Sequence, residues 1–231
     1  MNIKPLLLVI CAAFFCFEAC KKNNDAPTIN TSIDSLNFIN AYSIPFNIYL
    51  NGSRLNSNSN LSIGGSSGYY TVPSGKQTYQ VKKVFDASTA VVQTLFSYTP
   101  DLTAHHYYSL FVAGASDSSA FVIQDNLPLG DTTSGVCQVR FVNASPDAGN
   151  VDLSIGGITY PNQAFKTGSA FGHVDTATLS PIILIKSGTT DTLINGHYPL
   201  LQGYIYTFYA KGSLTGTGNS ALGIGVTVNA Q

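Results

Sequence analysis

The stretch Cys137–Gly157, CQVRFVNASPDAGNVDLSIGG, decides how this chain is read. Val139, Phe141 and Val142 form an apolar run of β-branched and aromatic residues, which favours a strand. Asn143, Ser145 and Asp147 can each bond their own backbone in turns. Pro146 fixes φ, and Gly149 permits a positive φ. Beyond the turn, Val151, Leu153 and Ile155 alternate with Asp152 and Ser154. That period of two predicts a strand with one face buried and one wet. Gly156-Gly157 predicts a tight turn at its end.

A weaker copy of the same pattern lies earlier, at Leu36–Gly52, LNFINAYSIPFNIYLNG. Phe38-Ile39-Asn40-Ala41 matches Phe141-Val142-Asn143-Ala144, and Leu50-Asn51-Gly52 matches Ile155-Gly156-Gly157. Later in the chain Tyr108-Ser109-Leu110-Phe111 lines up with Tyr206-Thr207-Phe208-Tyr209. Matching points in the same order, about 100 residues apart, identify an internal repeat. In the first copy, strands are expected at Phe46–Leu50, Tyr69–Val72, Gln77–Phe85, Val91–Tyr98, Tyr107–Ala113 and Ala120–Gln124. In the second, a last strand is expected at Leu222–Val228. Tyr108 and Tyr206 are candidates for a corner in which the hydroxyl bonds a nearby backbone group. The expected fold is all-β, with two tandem immunoglobulin-like β-sandwiches at 32–128 and 136–231 and a linker at 129–135.

The run V-R-F-V-N-A-S-P-D-A-G-N-V-D-L from Val139 to Leu153, with Gly203-Tyr204-Ile205-Tyr206-Thr207 later, resembles the domain-of-unknown-function 4397 family. The resemblance is clearest in the second copy, because the first has Tyr42-Ser43-Ile44-Pro45 where the family has Ser-Pro-Asp. It implies an immunoglobulin-like sandwich of the kind found in bacterial secreted proteins and lipoproteins, and it implies no enzyme activity.

The N-terminus is read as an address. Lys4 precedes an apolar run from Leu6 to Phe17, shorter than the roughly 20 residues a spanning helix needs, and this reads as a secretory signal. The run ends at Ala19-Cys20, which resembles a bacterial lipobox and predicts cleavage after residue 19 and lipidation, including palmitate, at Cys20. Residues 20–31 are polar and aperiodic and read as a tether. Acyl chains at about 0.8 kcal/mol per buried methylene would hold the protein on a membrane, the outer membrane being favoured.

Composition excludes several classes. The net charge is −1 and only 10% of residues are charged, so no basic stripe invites nucleic acid. Glu18 is the sole glutamate, and no carboxylate pair is marked for glycosidase chemistry. Beyond the leader and Cys20 the one cysteine is Cys137, which predicts neither a disulfide nor a cysteine zinc site. His105 and His106 are neighbours, and neighbours on a strand point to opposite faces. Asp147 and Asp152 are read as turn caps. No cofactor, metal site or catalytic residue is expected. Tyr69, Tyr70, Tyr107 and Tyr160 are the candidate binding residues, since exposed aromatics stack on sugars and proteins alike. The expected role is a non-catalytic, lipid-anchored envelope protein acting in adhesion, structure or protein interaction. Glycan binding is the alternative, and a hydrolase is the remote one.

Overall fold

The computed structural model describes residues 32–56, 59–84, 92–129, 131 and 133–231. The leader at 1–19, Cys20 and the tether at 20–31 lie outside the described residues, as do Gly130 and Thr132 of the expected linker and Phe85 and Val91 at expected strand ends. The described chain is all-β. The first repeat contains β1 (Ile33–Asn40), β2 (Asn47–Leu50), β3 (Ser53–Arg54), β4 (Ser66–Pro73), β5 (Gly75–Lys76), β6 (Tyr79–Val84), β7 (Val92–Tyr98), β8 (Asp101–Leu102), β9 (Tyr107–Val112) and β10 (Ala120–Gln124). The second contains β11 (Val136–Asn143), β12 (Val151–Ile155), β13 (Ile158–Gln163), β14 (Gly172–Asp175), β15 (Ala177–Lys186), β16 (Thr192–Leu200), β17 (Ile205–Lys211) and β18 (Gly223–Ala230).

The duplication is written in the topology. The first repeat has sheets β10-β9-β1-β4 and β3-β2-β6-β7, and the second has β18-β17-β11-β14 and β13-β12-β15-β16. With the small β5-β8 pair set aside, these are the same order. In both, the first strand runs parallel to the seventh, β1 beside β9 and β11 beside β17. The turn after β2 has φ of 51° at Asn51 and 80° at Gly52, and the turn after β12 has 55° at Gly156 and 79° at Gly157. Two successive positive φ values match the twist of a hairpin. Gly156 is doubly constrained, because a Cβ there would stand 2.3 Å from Val174 Cγ1.

The strand grouping differs from the expected immunoglobulin order. An antibody constant domain groups its first, second, fifth and fourth strands against the third, sixth and seventh. Here the fourth, first, seventh and eighth share one sheet, and the third, second, fifth and sixth the other. The parallel contact of first and seventh strands takes the first strand away from the second.

Each repeat fills the space between its two sheets with apolar side chains. Phe38, Ile48, Tyr79, Val81 and Leu110 belong to one core, and Phe141, Leu153, Leu184, Tyr206 and Phe208 to the other. β12 alternates buried and half-buried residues, as its sequence predicts. β11 does not alternate, and residues from Cys137 to Asn143 are all buried. The other face of its sheet lies against the first repeat. Ile39, Phe111 and Phe121 meet Val142, Ala144 and Tyr209 in a third apolar cluster. A strand covered on both faces has no wet side to alternate with, which accounts for the adjacent buried Phe141 and Val142. Residues 31–231 form one compact unit.

Candidate functional site

The Asn-Ala pair that opens each repeat has one job in both. The Asn143 side-chain oxygen accepts the Ser145 N–H at 3.0 Å, while its amide donates to Gly149 O at 2.8 Å and Gln163 O at 3.0 Å. Asn40 accepts the Tyr42 N–H at 2.9 Å and donates to Ile44 O at 2.9 Å and Leu61 O at 3.0 Å. Only a side chain with both a carbonyl and an NH2 can close a turn and tie two strand ends at once. Each tyrosine corner is formed as the repeat predicts: the Thr103 N–H donates to the Tyr108 hydroxyl at 3.1 Å, and the Leu201 N–H to the Tyr206 hydroxyl at 3.2 Å.

Between the repeats lies a buried polar seam. Arg140, on β11, is 2% exposed and pairs with the fully buried carboxylate of Asp125, just beyond β10. Arg140 Nε also donates to the Thr207 hydroxyl at 2.8 Å, and its guanidinium lies 4.7 Å from the Phe171 ring centre. The other Asp125 oxygen accepts from Tyr69 at 2.6 Å and from Ser109 at 2.7 Å. Asn229 donates to the Tyr69 hydroxyl at 2.8 Å and accepts from Thr207 at 2.6 Å. Burial first, and the Asp125 charge second, push the Tyr69 phenol far above its ordinary pKa.

The seam is nearly symmetric under exchange of the repeats. Asn37 stands where the second repeat has Arg140, because Asn37 is opposite Ser109 as Arg140 is opposite Thr207. Asp125 and Asn229 likewise each follow the residue paired with a corner tyrosine, Gln124 with Tyr108 and Val228 with Tyr206. One half of the seam therefore carries a charge pair and the other half carries two asparagines.

The four candidate tyrosines do not form one surface. Tyr69 and Tyr107 meet edge to face at 5.1 Å, and Tyr107 is exposed. Tyr69 belongs to the seam. Tyr70 packs half-buried against Phe38 in the first core. Tyr160 is buried and donates to Val139 O at 2.9 Å, so it has no ring face to offer a ligand.

The other polar candidates hold loops. His106 N–H donates to Asp34 at 3.1 Å, and His105 occupies a turn at φ 66°. Asp147 accepts from the Ser213 hydroxyl at 2.5 Å and the Leu214 N–H at 3.0 Å. Burial raises its pKa, but these bonds outweigh it and the net shift is downward. Asp152 accepts from the Asn162 N–H at 2.7 Å and from the Ser187 hydroxyl. Asp131 of the linker accepts from Thr133, from His173 at 2.5 Å and from Gln138. The Thr133 bonds first, and then His173, hold its carboxyl well below the usual range. Among the described residues no three His, Cys, Asp or Glu side chains gather within reach of one metal ion.

Two of the concave regions among the described residues border the second repeat. A cavity of about 380 Å³ lies beside Leu129, Cys137 and Tyr204. Burial raises the Cys137 thiol there to about 11. An open cleft of about 540 Å³ lies along β16 and β18, with Ile63 and Gly64 of the first repeat in its wall. Sequence reading missed Arg140, Asp125 and this cleft. An arginine inside an apolar strand run was the available signal for the first.

No curated protein matches the chain. The family model described as Domain of unknown function (DUF4397) matches residues 35–154. The match begins inside β1, runs through the rest of the first repeat and ends inside β12, so it lies mainly on the copy in which the resemblance is fainter. It reaches the Asn-Ala-Ser-Pro-Asp turn that carries the resemblance, and it covers half of the chain: the protein belongs to the DUF4397 family.

Proposed function

We propose that this protein is a non-catalytic lipoprotein of the bacterial cell envelope, held to a membrane through acylated Cys20, that serves as a protein-interaction or adhesion module. Its two repeats are read as tandem β-sandwiches, immunoglobulin-like in the broad sense of two packed sheets, at 32–128 and 136–231. The observation that carries this reading is where the reactive groups are spent. Arg140, Asp125, Asp131, Asp147 and Asp152 all hold strands, loops or the two repeats together. Such a body suits display of surface better than chemistry. No described helix is long and apolar enough to cross a membrane, and the Ala19-Cys20 junction supports attachment by lipid.

The experiment has two arms. Cells fed a clickable palmitate analogue are expected to label the wild type and not Cys20→Ala. Protease shaving of intact cells then separates the two faces of the outer membrane. Loss of the protein fits adhesion, and survival until permeabilisation fits a periplasmic partner role. An unlabelled wild type would overturn the anchor. The second reading, glycan capture, is favoured only by the exposed Tyr107 ring against Tyr69. A polysaccharide panel that leaves tyrosine fluorescence unchanged would remove it.

A further inference from the structure

Because the repeats share a strand order, their side chains can be compared place by place. Leu50 and Ile155 each precede the two-residue turn. Leu50 pairs with Tyr79, and Tyr79 with Tyr98. Ile155 pairs with Ile182, and Ile182 with Gly196. Ile182 is therefore the counterpart of Tyr79, and Gly196 the counterpart of Tyr98. In the first repeat Tyr79 is buried and Tyr98 packs half-buried on the core. In the second, an isoleucine and a bare backbone stand where two phenol rings stand in the first.

The open cleft lies at that place, walled by Ile182, Ile194, Tyr198 and Ile224. A Cβ on Gly196 would meet nothing within 4 Å, and Gly196 is not among the positive-φ residues. Neither crowding nor backbone geometry asks for glycine there. Its effect is to leave a ring-sized slot open. Lys211 stands in the same wall and no carboxylate does. Among the described residues Lys211 takes part in no ion pair. His197 and Tyr198 are the other titratable groups of the wall. A lone cation in a cleft attracts an anion. β16 and β18 are both edge strands, and edge strands offer unpaired N–H and C=O groups to an extended chain.

We propose that this cleft receives the C-terminal aromatic residue of a partner polypeptide, with its ring over Gly196 and its carboxylate toward Lys211. Only a terminal residue puts a negative charge one or two bonds from the side-chain stem. The assignment rests on the partner-binding role above but not on the lipid anchor.

The test is methyl NMR of the full-length protein in detergent, with isoleucine Cδ1 groups labelled and N-acetylphenylalanine as probe. The methyls of the cleft isoleucines, Ile63, Ile182, Ile194 and Ile224, should shift together, with a dissociation constant on the order of 1 mM. The neutral N-acetylphenylalaninamide should bind about 5-fold more weakly, and Lys211→Gln should erase that difference. Gly196→Val should fill the slot and abolish the shifts while the thermal transition stays in place. Equal binding of acid and amide, shifts elsewhere, or a response to glucuronate in place of the aromatic acid would each overturn the assignment. A flat titration up to about 10 mM, with a partner still recovered from cells, would overturn the cleft and leave the partner-binding role standing.

Discussion

At the scale of single residues, the polar side chains buried in this protein act as fasteners, and their removal should be costly in a predictable order. Asn143→Ala takes away three bonds and leaves the buried Ser145 N–H and the carbonyls of Gly149 and Gln163 without this partner. Urea unfolding should show a loss of about 2–4 kcal/mol. Arg140→Met leaves the Asp125 carboxylate buried without its partner, and should cost about 3–5 kcal/mol. The double variant Arg140→Met, Asp125→Leu should recover most of that loss, because a buried ion pair gains little over well-packed apolar groups. A double variant as unstable as the single one would show that the seam depends on the charges themselves. The asparagines were legible in sequence because their partners include the turn beside them. The ion pair was not, because its meaning depends on a face of β11 covered by another repeat.

At the scale of elements, the local signals predicted well and the pairings did not. Alternation gave β12, and Gly156-Gly157, matched in the repeat by Asn51-Gly52, gave the tight turn that the structure contains in both copies. β13 to β16 were not read: β15 and β16 alternate in burial, but their residue types do not, as in the run Ile182-Ile183-Leu184-Ile185. The parallel contact of β1 with β9 was also hidden, because strand order depends on contacts far apart in sequence. The corner tyrosines offer an element-scale test. Tyr206→Phe removes a hydroxyl that receives the Leu201 N–H, and should lower stability by about 1 kcal/mol. Tyr108→Phe should do the same in the first repeat, and the pair should add, since the two corners share no partner.

At the scale of the whole molecule, the third apolar cluster and the seam join the repeats into one compact unit. Calorimetry should therefore show one transition for residues 32–231, and Arg140→Met should shift all of it. Two separated transitions would mean that the seam contributes little. Alkaline pH should weaken the fold. Burial raises the phenols of Tyr79, Tyr160 and Tyr209, and burial with Asp125 raises that of Tyr69. Unfolded tyrosines titrate near pH 10, so the contribution of these groups is complete below pH 10 and is lost as pH climbs above it toward their raised folded values. Stability measured at pH 11 should fall below that at pH 8, and Tyr79→Phe, Tyr160→Phe and Tyr209→Phe should each fall less. The charge pair on one side of the seam has a further effect. Two first repeats mated with each other would set Asp125 against Asn37, and two second repeats would set Arg140 against Asn229. Either homotypic mating would bury an unanswered charge, at a cost of several kcal/mol. Only the mixed mating neutralises both. Separately produced halves should thus ignore their own kind and assemble one to one, and the intact chain carries its own preferred mate in cis, which leaves it little reason to exchange halves with a neighbour.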